Sequence, residues 1–311
     1  MRDKIYLLAF LCGAGVLLYL GRDLLVRSTF VSLGLSFAGT TAAGVLGLTL
    51  YRVQQDLTAS RHELARKEAE LNFAREVQRS LFPRRLPENH GLEFAGVCVP
   101  ASGISGDYYD VVEIGDGRLA FVLADISGKG ISAAILMSNL HAVLRTVAGA
   151  GRTPAEVCAQ LNRHLYTITE ASRYATLFYG EWCAAEKRLT YSNAGHYPPV
   201  LVGSQRGLHL QHGGPPLGLF LDSCFEEARI SLAPGDVVAL YSDGITDAEN
   251  AAGEPFGESR LSAVITAHAA DPLPQIERQV FQAVHAWSIE EATDDATLLL
   301  ARVTSSRKEA A

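Results

Sequence analysis

The sequence predicts an α+β protein, a domain of antiparallel sheets and helices placed behind a membrane-spanning hairpin and a connecting helix. Three observations predict it. Two uncharged apolar runs open the chain, and a charged, proline-free stretch follows them. Beyond about residue 88, short strand-like segments surround helical pairs without the regular strand–helix alternation of a parallel sheet. At 311 residues with 48% apolar side chains, the chain can bury one large core and still carry an appendage.

The first run, residues 5–20, has 16 uncharged residues, a little short of the ~20 that cross a bilayer upright. The second, residues 30–51, has 22. Together they predict a two-helix anchor over residues 1–51. A cleaved signal peptide is the alternative for the first run, and a buried soluble hairpin for both, although no polar face interrupts either. Arg2 and Lys4, then Arg52, Arg61, Arg66 and Lys67, flank the outer ends, against Arg22 and Arg27 in the turn. This bias places both termini in the cytoplasm and the downstream domain on the inner face of the plasma membrane. Ser32, Ser36, Thr40 and Gly44 put small side chains on one helix face, suited to close packing of a second helix or simply a product of composition.

Residues 52–81 predict a helix leaving the membrane, with Leu57, Leu64 and Leu71 at heptad spacing. The heptad fails at Gln78, so a long coiled coil is not expected, while a shorter pairing in a homodimer is compatible. Pro83 and Pro87 end the helix and set a linker of residues 52–87 before a domain of residues 88–303, with a tail of residues 304–311. Strands are expected at 93–99, 111–114, 119–124, 176–183, 189–192, 200–202, 228–232, 237–241 and 297–303, with Gly115-Asp116-Gly117 as a hairpin turn. Helices are expected at 131–147, at 258–268, at 274–287, and from Thr153, where Pro154 at the first helical position and Glu156 complete a capping box.

The net charge is −7; residues 1–51 carry +2, leaving −9 for the rest. An acidic body lacks the clustered Lys and Arg that nucleic-acid binding requires. The five cysteines (Cys12, Cys98, Cys158, Cys183, Cys224) show neither zinc-site spacing nor a disulfide framework, and are expected to be small buried apolar residues in a reducing compartment.

Four acidic positions stand at expected strand ends or adjoining turns. They are Asp107 in Ser105-Gly106-Asp107-Tyr108-Tyr109-Asp110, Asp125 in Ala124-Asp125-Ile126-Ser127-Gly128-Lys129-Gly130, Asp243 in Tyr241-Ser242-Asp243-Gly244, and Asp294 in Thr293-Asp294-Asp295-Ala296-Thr297. Carboxylates converging at strand ends make an oxygen-rich site suited to hard divalent cations, although each taken singly reads as a solvated turn residue.

These motifs, with Ala74-Arg75-Glu76-Val77-Gln78-Arg79-Ser80-Leu81-Phe82-Pro83, Tyr174-Ala175-Thr176-Leu177-Phe178-Tyr179, Asn193-Ala194-Gly195-His196-Tyr197-Pro198-Pro199, Pro215-Pro216-Leu217-Gly218 and Pro234-Gly235-Asp236, resemble the SpoIIE/RsbU branch of the PPM (type 2C) metal-dependent serine/threonine phosphatases. The resemblance covers roughly residues 72–303. It implies a two-layer antiparallel sandwich flanked by helices, with two Mg²⁺ or Mn²⁺ ions at one edge. Carried over by motif, Asp125 would bridge both ions, the Ile126 carbonyl would bind one, Asp243 and Asp294 would complete the other, and Asp107 would hold the first. Asp110 and Asp295 are the less favoured neighbours in their pairs. The resemblance further implies a phosphorylated protein substrate, of the small STAS-domain anti-anti-sigma type, and regulation through the 52–81 helix docking on the helices at 131–147 and 154–169.

The sequence departs from the pattern at two positions. Ser127 stands where type 2C relatives outside this branch commonly carry histidine, so no proton donor to the leaving group is carried over. Ser105 replaces a glycine frequent in the branch. His196 is open as an acid or as a turn-capping residue, and Lys129 as a phosphate contact or a solvated loop residue. Two other functions remain open: a catalytically silent membrane-bound binding module, and a metal-dependent phosphatase of small phosphoesters.

Overall fold

The computed structural model describes residues 2–25, 29–87, 90–101, 103–149, 151–169, 172–204, 207–288 and 294–304. The expected boundary at residue 88, part of the expected 21–29 turn, Thr293, and all of the expected tail but Thr304 lie outside the described residues. The chain divides into two compact units, Met1–Glu70 and Leu71–Ala311.

The first unit holds α1 (Arg2–Leu25) and most of α2 (Thr29–Arg79). The apolar segment and the connecting helix, expected as two elements, form this one helix, because neither Gly nor Pro occurs between Gly47 and Pro83 to break it. From Leu33 onward α2 is long and apolar enough to cross a membrane, while the apolar part of α1, Phe10–Arg22, is shorter. Large apolar side chains such as Leu17, Leu33 and Phe37 are exposed.

The second unit contains two sheets. One has the order β1 (Leu92–Val99), β10 (Ala296–Val303), β9 (Val237–Tyr241), β6 (Val200–Val202), all antiparallel. The other runs β2 (Tyr108–Glu113), β3 (Arg118–Ile126), β4 (Ala175–Cys183), β5 (Arg188–Ala194), β7 (Gly213–Gly214), with β8 (Ala228–Ser231) also on β5. Only the short β5–β7 pair is parallel among the described residues. The β2–β3 hairpin turns on Gly115, Asp116 and Gly117, all at positive φ, with Arg118 N donating to Gly115 O at 2.9 Å.

Alternation along the strands builds the layers. On β3, Leu119, Phe121 and Leu123 enter the core between the sheets, where they meet Phe178, Trp182, Leu240 and Leu299. Ala120, Val122 and Ala124 point the other way, under α3 (Ile131–Val147) and α4 (Pro154–Thr169). On β10, Leu298 and Leu300 face α6 (Gly257–Ala267) and α7 (Leu273–Trp287). Both faces of the central strands are therefore covered, which explains their near-continuous apolar runs. The result is the α+β sandwich flanked by helices that the sequence predicts.

One expectation is corrected. Among the five free cysteines only Cys158 is buried; Cys98 and Cys183 are half-buried, and Cys12 and Cys224 are exposed. Cys12 lies on the apolar first helix and Cys224 on a surface loop, so neither is required by the core.

Candidate metal centre

Each predicted acidic residue is placed by the end of a strand. Asp107 directly precedes β2, Asp125 is the penultimate residue of β3, Asp243 opens the one-turn helix α5 (Asp243–Thr246) after β9, and Asp294 lies two residues before β10. The sandwich brings these ends from both sheets together, and their charges act on one another. Burial, then the charges of Asp243, Asp294 and Asp295, push the Asp125 carboxyl up to about 7. Burial and then Asp125 raise Asp107 well above the ordinary carboxylate range. Asp243 is raised by burial, then by Asp294 and Asp247. Lys129 Nζ pairs with Asp294 Oδ2 at 2.9 Å and supplies a positive charge at the rim.

Close backbone approach makes this convergence possible. A side chain on Gly106 would stand only 3.1 Å from the Ile126 carbonyl oxygen, and one on Gly244 would collide with the Asp295 and Asp294 carbonyls. Glycine at those two positions lets the loops meet.

The second carboxylate of each pair is already engaged. Asp110 accepts from Tyr108 Oη at 2.6 Å, from Val111 N at 2.8 Å, and from Arg145 Nε and Nη2 at 2.7 and 2.8 Å. Asp295 accepts from Ala101 N at 2.9 Å, Ser105 Oγ at 2.9 Å and Gly106 N at 2.7 Å. Asp110 thereby ties β2 to α3, and Asp295 ties the loop before Asp107 to the start of β10.

Several residues missed by sequence reasoning support the site. Thr297 Oγ1 donates to Asp107 Oδ2 at 2.5 Å, fixing that carboxylate's orientation. Ser242 Oγ donates to the Asp295 carbonyl at 3.0 Å and accepts from Thr297 N at 2.9 Å, joining the loops that carry Asp243 and Asp294. Arg173 Nη1 donates to Ser127 O at 2.9 Å beneath the turn after Asp125. Thr297 stood inside a quoted motif, and an alternate position beside two aspartates was its available signal; Arg173 had none.

His196 is buried and structural. Its Nδ1 lies 2.8 Å from Thr176 Oγ1, and its backbone N–H donates to Asn193 Oδ1 at 2.7 Å. Among the described residues, the buried Nε2 has no side-chain or backbone hydrogen-bond partner of good geometry. Burial pushes the imidazole down to about 4, with the Tyr241 backbone working weakly against it. The turn-holding role, left open by the sequence, is the one this geometry supports.

Among the described residues, no three His, Cys, Asp or Glu side chains form a closed metal-ligand set. The donors nonetheless fit divalent cations. Crowded carboxylates whose proton affinities are raised by one another's charge are relieved by a cation placed between them. Carboxylate and carbonyl oxygens are the hard donors that Mg²⁺ and Mn²⁺ prefer.

Comparison with known proteins identifies the family and the fold. The family model of Stage II sporulation protein E (SpoIIE) matches residues 115–304, which include Asp125, Asp243 and Asp294 but not Asp107. Protein IcfG of Synechocystis sp. is 31% identical over 228 residues, 64% of this chain and 36% of that protein. The phosphoserine phosphatase RsbU of Bacillus subtilis is 27% identical over 254 residues, 81% of this chain and 74% of that one. The chain thus spans only about a third of IcfG. The SiaA-PP2C domain of Pseudomonas aeruginosa shares the fold, with a TM-score of 0.64 at 21% identity over 76% of this chain and 97% of that domain. With the family match extending over more than half its length and the same sandwich beneath it, this chain belongs to the SpoIIE family, in the SpoIIE/RsbU branch of the PPM serine/threonine protein phosphatases.

Proposed function

We propose that the chain removes phosphate from phosphoserine or phosphothreonine of a regulatory protein, using two divalent cations, Mn²⁺ or Mg²⁺. Asp107, Asp125, the Ile126 carbonyl, Asp243 and Asp294 would hold them, with Asp125 shared between the two. The observation that carries this reading is the set of mutually repelling carboxylates at the meeting of both sheets, with Asp125 raised to about 7. Bound cations supply Lewis acidity that lowers the pKa of water and neutralises charge on phosphoryl oxygens. The chain's own residues supply position. Thr297 orients Asp107. Asp295 fixes the loop that carries Asp107, and Lys129 adds a positive charge beside Asp294. An acidic body has little of its own to attract a phosphoprotein, so the site's positive charge is expected to come from the ions.

The name of RsbU, a phosphoserine phosphatase, supports a phosphoprotein substrate, and the family resemblance points to a STAS-domain partner. The apolar stretch beginning at Leu33 supports attachment to membrane lipid, with α1 as the second span of a hairpin and the phosphatase domain in the cytoplasm. A silent binding module is disfavoured because all four carboxylates are present. The test is phosphate release by the purified full-length chain with Mn²⁺. Phosphorylated STAS-domain proteins from the same genome are expected to be hydrolysed with far higher kcat/KM than nucleotides or aryl phosphates. Preference for the small phosphoesters would contradict the reading.

A further inference from the structure

Asp107 sits in a loop, not in a strand, and is nearly inaccessible. Residues 103–107 lack the ladder that normally fixes a buried backbone, so their polar groups need other partners. Ser105, fully buried, finds one in Gln78 from the last turn of α2, itself only 6% exposed. Gln78 Oε1 accepts from Ser105 N at 2.9 Å, and Gln78 Nε2 donates to Ser105 O at 2.6 Å. The side-chain amide therefore pairs with the peptide groups of Ser105 much as a neighbouring strand would. A primary amide is the neutral side chain offering both donor and acceptor for this, and glutamine has the reach.

The connection continues to the site. Ser105 Oγ donates to Asp295 Oδ2 at 2.9 Å and accepts from Asp107 N at 2.9 Å. A second contact lies beside the first: Gly103, at positive φ, is packed so closely that any side chain there would run into the Arg75 guanidinium, one turn earlier on α2. Leu81 and Phe82, just past the helix end, pack against the core beneath.

We propose that Gln78 is a positioning residue for Asp107, holding the ligand loop from outside both sheets through the peptide groups of Ser105. The proposal rests on the reading of Asp107 as a metal ligand. It gives the end of α2 a defined route to the centre, in which displacement of one helical turn withdraws both hydrogen bonds from Ser105 and frees the segment that presents Asp107. Gln78 touches neither substrate nor ion on this account and acts only through Ser105.

The test compares the full-length chain, solubilised in detergent, with Gln78→Met, which keeps the length and removes both bonds. Leu81→Ala serves as a packing control that leaves the clamp in place. Hydrogen exchange of the Ser105–Asp107 amides, read without metal, is expected to speed up about five- to thirty-fold in Gln78→Met. Mn²⁺ affinity measured by calorimetry is expected to fall by a similar factor, with phosphate release recovering at excess Mn²⁺. Leu81→Ala is expected to lower the unfolding midpoint and change neither. The wild type gives an independent reading, since a clamped Ser105 amide must exchange far more slowly than an amide of the unfolded chain. Unchanged exchange or unchanged Mn²⁺ affinity in a folded Gln78→Met, or an unprotected wild-type Ser105 amide, would overturn the proposal. A wild-type chain that takes up no Mn²⁺ overturns it together with the metal reading, a failure distinguished by affecting every protein alike.

Discussion

His196 illustrates how burial decides which ionisable side chains this domain can use. The folded imidazole resists protonation down to about pH 4, whereas in the unfolded chain it takes up a proton near the ordinary value of 6.5. Between those values the unfolded state binds more protons, so stability is fully present above about pH 6.5 and is lost as pH falls towards 4. The loss attributable to this residue is up to about 3 kcal/mol. Denaturant titrations of wild type and His196→Gln should therefore converge on acidification, with the variant gaining about 2 to 3 kcal/mol relative to the wild type between about pH 7.5 and about pH 4.5. Parallel pH profiles would show that the imidazole is not held neutral. The sequence placed the four aspartates beside strand ends, where the structure has them, but each alone reads as a turn carboxylate, and the resemblance of their motifs is what singled them out as a set. Their supports were not legible in the sequence. Gln78 and Ser105 are 27 positions apart, and Arg173 and Ser127 are 46 apart. Nothing local in the sequence distinguishes such pairs from surface polar residues.

Helix α4 begins where its capping signals lie. Thr153 N donates to Glu156 Oε2 at 2.8 Å and Glu156 N donates to Thr153 Oγ1 at 3.3 Å, closing the box that the residue spacing predicts. Thr153→Ala is expected to lower stability by about 1 kcal/mol, measured as a shift in urea midpoint with unchanged slope. No shift would mean that the box is replaced by water at no cost. The expected bounds of the helix at 131–147 and of the strands at 200–202 and 237–241 coincide with the observed elements, since Gly and Pro punctuate their flanks. Elements too short to show a period were missed. β7 is two glycines with no side chains to pattern, and α5 is a single turn that opens on an Asp-Gly pair, which reads as a plain turn. The continuity of α2 was hidden for another reason: its composition changes from apolar to charged while its helical propensity does not.

The chain joins an apolar N-terminal unit to an acidic phosphatase domain. A fluorescent protein that matures only in the cytoplasm, fused after Ala311, is expected to shine and to sediment with membranes; a dark fusion on an exported domain would contradict the proposed topology. Catalysis by the carboxylates that both sheets bring together is probed by Asp125→Asn. The variant removes the anionic oxygen proposed to be shared and also relieves the repulsion between residue 125 and Asp107, Asp243 and Asp294. Phosphate release from a phosphoserine protein, measured with saturating Mn²⁺ alongside circular dichroism and the unfolding midpoint of the metal-free chain, separates these effects. A folded Asp125→Asn is expected to be at least as stable as the metal-free wild type, with turnover reduced by about 100-fold or more and no rescue by excess Mn²⁺. Near-wild-type turnover by a folded Asp125→Asn, or full wild-type activity after exhaustive chelation, would contradict the metal reading.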